Sequence, residues 1–151
     1  KVPKGWQWFE EEGEGGEMQY SVTDMTTPQA VVIVYLCEPG MEDLSRKERK
    51  ARLNDGDQDV VAVVTEEGGT LLKKRTSTLS GQPAHDREYT VPREQGYKHS
   101  LTRRAYYGSC AYYVTGYVLE AGDRRGRGLK QVKEVMRTFR FLKKPIVVEE
   151  P

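Results

Sequence analysis

The stretch YKHSLTRRAYYGSCAYYVTGYVLEA, Tyr97–Ala121, decides the fold. Two strand-like runs flank Gly108-Ser109, and a Gly at the first of two loop positions suits a type II′ turn, whose twist matches the strands it joins. Tyr97, Tyr106, Tyr107, Tyr112, Tyr113 and Tyr117, six of the chain's nine tyrosines, lie here. Aromatic residues favour a pleated, half-buried surface, so this hairpin is predicted to form the middle of an antiparallel sheet.

Toward the N-terminus, PREQG (92–96) reads as a turn and AHDREYTV (84–91) as the strand before it. Gly81-Gln82-Pro83 turns the chain out of a strand over 70–80, in which Lys73, Lys74 and Arg75 face outward at least in part. The turn EEGG (66–69) leads from a strand over 60–65, and NDGDQD (54–59) reads as a polar loop. Its three Asp (Asp55, Asp57, Asp59) alternate around Gly56, but no Glu stands at the twelfth position of a calcium loop. EDLSRKERKARL (42–53) is expected as a mainly solvated helix. The β-branched run AVVIVYLC (30–37) is predicted as a strand covered on both faces. GWQWFEEE (5–12) and MQYSVTD (18–24), joined through GEGG, read as an N-terminal hairpin.

Toward the C-terminus, GDRRGRG (122–128) is a basic loop before a helix over 128–139. Leu129, Val132, Val135, Met136 and Phe139 recur every three or four residues there, the stripe of a core-facing helix. FRFL (139–142) is expected as a last strand. Residues 1–145 thus read as one domain and 146–151 as a loose tail. The fold class is α+β, an antiparallel meander with helices covering the sheet.

The chain of 151 residues suits one core. Hydrophobic residues make up 36% and charged ones 31%, so a well-solvated surface is expected. Net charge is +1, but unevenly spread: from Arg93 onward 13 Lys+Arg face 6 Asp+Glu, and before it 11 face 17. That bias offers a polyanion partner as one reading and ordinary surface variation as the other. No run approaches the roughly 20 apolar residues of a membrane helix. The chain opens at Lys1 without a Met, the expectation for a trimmed mature domain, exported or envelope-associated. Cys37 and Cys110 read as buried free thiols; a disulfide needs an oxidising compartment and neighbouring strands. No Cys/His ligand set points to a metal, and no motif points to a cofactor.

The histidines His85 and His99 flank the PREQG turn and are the one route to catalysis. With Asp86 or Glu88 as helper, a His would act as base on Ser80, Ser100 or Ser109. Neither GxSxG nor HExxH accompanies them, and exposed strand histidines are the simpler reading. Arg124, Arg125 and Arg127 precede the last helix, where its N-terminus favours an anion. Lys98, Arg103 and Arg104 interleave with tyrosines as in nucleic-acid-binding sheets, but strand alternation splits them between faces and the RNP signature is missing, so nucleic acid is not the expected partner.

Three segments, SGQPAHDREYTV (80–91), RRAYYGSCAYYVTGYV (103–118) and VKEVMRTFRFL (132–142), resemble the PsbP-like family. That family includes extrinsic photosystem subunits, Mog-type Ran-binding proteins and small bacterial envelope or lipoprotein-like domains. The resemblance covers the last 80 or so residues, and the N-terminal part only in the order of elements. It implies a sheet sandwiched by helices (α/β/α) and, since several members are adaptors or assembly factors, a non-catalytic protein-binding domain. No lipobox Cys opens this chain, and its acidic N-terminal hairpin and basic 124–127 loop have no match in the family. The expected binding surface is the sheet rim or open face around His85, Arg87, Tyr89, Arg103 and Arg104, with Arg124, Arg125 and Arg127. The alternatives are a small-ligand or hydrolytic enzyme built on His85 and His99, and a polyanion binder.

Overall fold

Gly108 takes φ 58 while Ser109 stays at negative φ, the backbone a II′ turn requires. The turn sets the register of β6 (Tyr97–Tyr107) against β7 (Cys110–Leu119), from Tyr107↔Cys110 to Lys98↔Leu119. The computed structural model describes residues 3–14, 17–24, 29–120 and 126–141. Around the hairpin lie β1 (Trp6–Glu12), β2 (Met18–Asp24), β3 (Gln29–Cys37), β4 (Thr70–Leu79) and β5 (Gln82–Pro92). All seven strands form one antiparallel sheet in the order β1-β2-β3-β7-β6-β5-β4. The predicted hairpin is therefore central, and β1 and β4 are the two edges.

Two helices cover opposite faces of this sheet and opposite halves of it. α2 (Arg127–Thr138) lies over β3 and β7. Its Val132 is fully buried in a cluster with Trp6, Val22, Val31, Val114 and Val118. Burying a side chain of this size stabilises the fold by about 1.5–3 kcal/mol. Gly116 on β7 makes the close approach possible, because a Cβ there would overlap Val132 Cγ1 and lie 2.6 Å from Met136 Sδ. A second cluster, Leu79, Ala84 and Ala105, is closed by Phe139 and Phe141.

α1 (Arg46–Glu66) covers the other face over β4, β5 and β6. It replaces three expected elements, a helix over 42–53, a polar loop over 54–59 and a strand over 60–65. Ser45 and Glu48 form a capping box that starts the helix. Leu53, Asp57 and Val64 share its buried face. Asp57 is tied to the sheet by ion pairs, so the segment that reads as a polar loop is the helix's anchor. Val61 and Val63 face solvent, so their strand propensity finds no sheet to join. The alternating aspartates are thus helical residues and do not form a calcium loop.

Three further expectations change. Phe139–Phe141 is not a strand, and Leu142 lies outside the described residues. Phe141 instead stacks on Tyr107 at 4.4 Å, and its N–H donates to Ser80 Oγ at 3.0 Å. Cys37 and Cys110 are not free thiols: they face each other across β3 and β7 and form a disulfide. Nor is β3 covered on both faces, since α1 lies mainly over β4, β5 and β6 and Leu36 is exposed.

Candidate functional site

Two groups of charge lie on opposite faces of β4, β5 and β6, and strand alternation decides which residue joins which. His85 and Arg87 point toward α1, as does Arg104, the register partner of His85. There Asp57 gathers all three. Its Oδ2 accepts from His85 Nδ1 at 2.7 Å and from Arg87, and its Oδ1 accepts from Arg104 at 2.6 Å. Arg104 also donates to the Leu53 carbonyl at 2.7 Å. A Cβ at Gly56 would overlap the Arg104 guanidinium, so the glycine makes room for the ion pair. His85, Arg87 and Arg104 are only 5, 2 and 6% exposed. They hold α1 to the sheet and are not available on an open face for a partner, contrary to the sequence expectation.

The histidines are likewise separated. His99 stands on the α2 face, where Nε2 lies 2.7 Å from Glu88 Oε1 and Nδ1 lies 3.6 Å from Glu120 Oε1. The sheet itself lies between His99 and His85. Ser100 is buried on the α1 face, Ser80 sits in a turn against Phe141, and Ser109 lies beside the disulfide. Among the described residues these side chains form no nucleophile–base pair, and no three His, Cys, Asp or Glu side chains group to hold a metal.

The α2 face carries the second group. Register aligns Lys73, Glu88 and Leu101 in one cross-strand row and Arg75, Asp86 and Arg103 in the next. Because α2 leaves this part of the sheet open, the two rows and α2 enclose a cavity of about 330 Å³. Its α2 wall is Lys133, Met136 and Arg137. The basic side chains Lys73, Arg75, Arg103, Lys133 and Arg137 thus outnumber the carboxylates Asp86 and Glu88.

Both carboxylates are already engaged. Arg103 donates twice to Asp86, from Nε at 2.7 Å and Nη2 at 3.1 Å, and Arg75 donates at 3.0 Å. Burial pushes the Asp86 carboxyl up, but Arg103, with Arg75 and Ser77, outweighs it and holds the group below the usual carboxylate range. Glu88 meets His99 and, at 4.0 Å, Lys133. No carboxylate of the described residues pairs with Lys73. Arg137 is paired with Glu134 at 2.8 Å, so the unneutralised positive charge of the cavity is centred on Lys73.

Of the expected binding residues, Arg103 and Arg87 line this cavity, although the Arg87 guanidinium is held by Asp57; Tyr89 is half-buried on the α1 face. Arg127 is exposed at the start of α2, and Arg124 and Arg125 lie outside the described residues. Lys133 and Arg137 were hidden in the sequence because they read as the wet side of an amphipathic helix. Their signal is the spacing of four residues that puts both beside Met136 on one face.

No family model and no curated protein sequence matches the chain. Solved structures do. The cyanobacterial PsbP (CyanoP) of Synechocystis sp. PCC 6803 aligns with a TM-score of 0.60 at 14% identity, over 90% of this chain and 81% of that one. PA94 of Pseudomonas aeruginosa, a protein of unknown function described as a putative regulator, aligns with a TM-score of 0.55 at 16% identity, over 95 and 90%. LpqN of Mycobacterium tuberculosis, involved in cell envelope biogenesis, aligns with a TM-score of 0.51 at 12% identity, over 89 and 76%. At these identities the likeness bears on architecture, and it agrees with the strand order and the helix on each face: this chain has the PsbP-like fold.

Proposed function

We propose that this chain is a non-catalytic protein-binding domain whose partner lies along the open edge of β4. One observation carries the reading. β4 is an edge strand of ten residues, and its centre is Lys73-Lys74-Arg75. An edge strand offers a row of unpaired N–H and C=O groups to an added strand. A bulge at Leu72 interrupts the pairing with β5, and from Lys73 to Leu79 the ladder is regular. Lysines on an edge also deter the edges of like-charged chains, so the partner that fits is an extended acidic segment. Its main chain would pair with β4, and its alternate side chains would reach Lys73 and Arg75 on one face and Lys74 on the other. The separated histidines add no competing reading as an enzyme.

The test is retention of a protein from lysate of the source cells. Wild type is compared with the triple variant Lys73→Glu, Lys74→Glu, Arg75→Glu and with Lys47→Glu on the exposed side of α1. A protein held by wild type and Lys47→Glu but released by the triple variant is the expected result. Equal retention by all three would refute the β4 edge as the docking strand. Nucleic acid alone, released by moderate salt, would replace the reading with that of a polyanion binder.

A further inference from the structure

The cavity between α2 and β4–β6 has an apolar side that an acidic strand on the edge does not need. Leu101 from β6 and Met136 from α2 both pack against the main core cluster and both line the cavity. Lys73, Lys133 and Arg137 stand around them. A site for a bare anion would be polar throughout, and a site for a neutral apolar molecule would not be ringed with cations. Here the two chemistries lie side by side in about 330 Å³, at the lower end of ligand-pocket volumes.

We infer that this cavity binds a small amphiphilic anion, a carboxylate or phosphate monoester carrying a medium-length apolar chain. The anionic head sits among Lys73, Lys133 and Arg137, and the chain lies on Leu101 and Met136. Asp86, Glu88 and Glu134 do not repel the head strongly, because Arg103 and Arg75 neutralise the first, His99 and Lys133 face the second, and the third is exposed and paired with Arg137. The inference does not rest on the proposed partner, although a ligand here would draw on Lys73 and compete with a strand on β4.

The experiment follows the methyl signals of Leu101 and Met136 by NMR in the full chain, with four probes: decanoate, decyl phosphate, decanol and inorganic phosphate. Saturable shifts with decanoate or decyl phosphate, and none with decanol or inorganic phosphate, are expected. A preference for decanoate assigns a fatty-acid type of head, and a preference for decyl phosphate a phospholipid type; either supports the inference. The double variant Lys73→Glu, Lys133→Glu, with unchanged near-UV circular dichroism, should weaken binding at least tenfold. Lys74→Glu, which faces the opposite side of β4, should leave it unchanged. Decanol binding as tightly as decanoate, inorganic phosphate binding as tightly as decyl phosphate, or no shift with any probe would each overturn it.

Discussion

Replacing Asp57 by Asn tests how α1 is held. The carboxylate is nearly buried and faces the guanidinium groups of Arg87 and Arg104, which are 2 and 6% exposed, together with His85. Asn keeps the shape but removes the charge, and its NH₂ must point at one of the donors it replaces an acceptor for. Two buried cations then lack a counter-charge, a loss typically worth about 3–5 kcal/mol when one partner of a buried pair is removed. Domains of this kind unfold with about 5–15 kcal/mol, so roughly a fifth or more of the stability is at stake. Urea unfolding followed by far-UV circular dichroism reads the change as a lower midpoint at unchanged slope. Asp59→Asn, on the exposed side of the same helix, is the control and should stay within about 0.5 kcal/mol. A loss below about 1 kcal/mol for Asp57→Asn would show that the ion pairs do not anchor the helix.

Three other outcomes follow from the same geometry. The Cys37–Cys110 disulfide closes a span of 73 residues. Its reduction should cost about 4 kcal/mol by loop entropy, seen as a lower Tm with reductant, and the untreated denatured protein should show no free thiol. Gly116→Val would drive a side chain into Val132 and Met136, so a loss of about 1–3 kcal/mol or more is expected in thermal unfolding; an unchanged Tm would mean that α2 does not sit against β7. Asp86 has a folded-state pKa below its unfolded value, so its contribution is present above about pH 4 and is lost as pH falls through the lower, folded value. Asp86→Asn should therefore flatten the acid side of the stability profile, and an identical profile would contradict the Arg103 and Arg75 pairing.

The sheet was legible because its signals are local. Gly108-Ser109 and the aromatic alternation on either side fix a hairpin without help from distant residues. α2 was legible through its apolar period. α1 was not, because the side chains that hold it, Leu53 and Asp57, meet partners some 28 to 51 residues away in sequence. An Asp-rich segment reads as solvated until Arg87 and Arg104 are known to lie beneath it, and the β-branched run 60–64 then favours a strand on propensity alone. The candidate site shows the same limit. Arg87 and Arg103 lie on neighbouring strands, yet strand parity sends the Arg87 guanidinium to Asp57 under α1 and the Arg103 guanidinium to Asp86 on the cavity face. Parity could have been read in advance. Which face each helix covers could not, since 42–65 reads as a helix, a loop and a strand and not as one helix.

The most direct test of the β4 edge is photo-crosslinking in the source cells. Benzoylphenylalanine is placed at position 72, where Leu72 is 52% exposed at the edge, and separately at position 61 on the outer side of α1. Covalent adducts with a protein from position 72 and not from 61, abolished by Lys73→Glu, Lys74→Glu and Arg75→Glu together, are expected. Adducts from position 61 alone, or adducts from 72 that survive the charge reversal, would contradict a partner strand on β4.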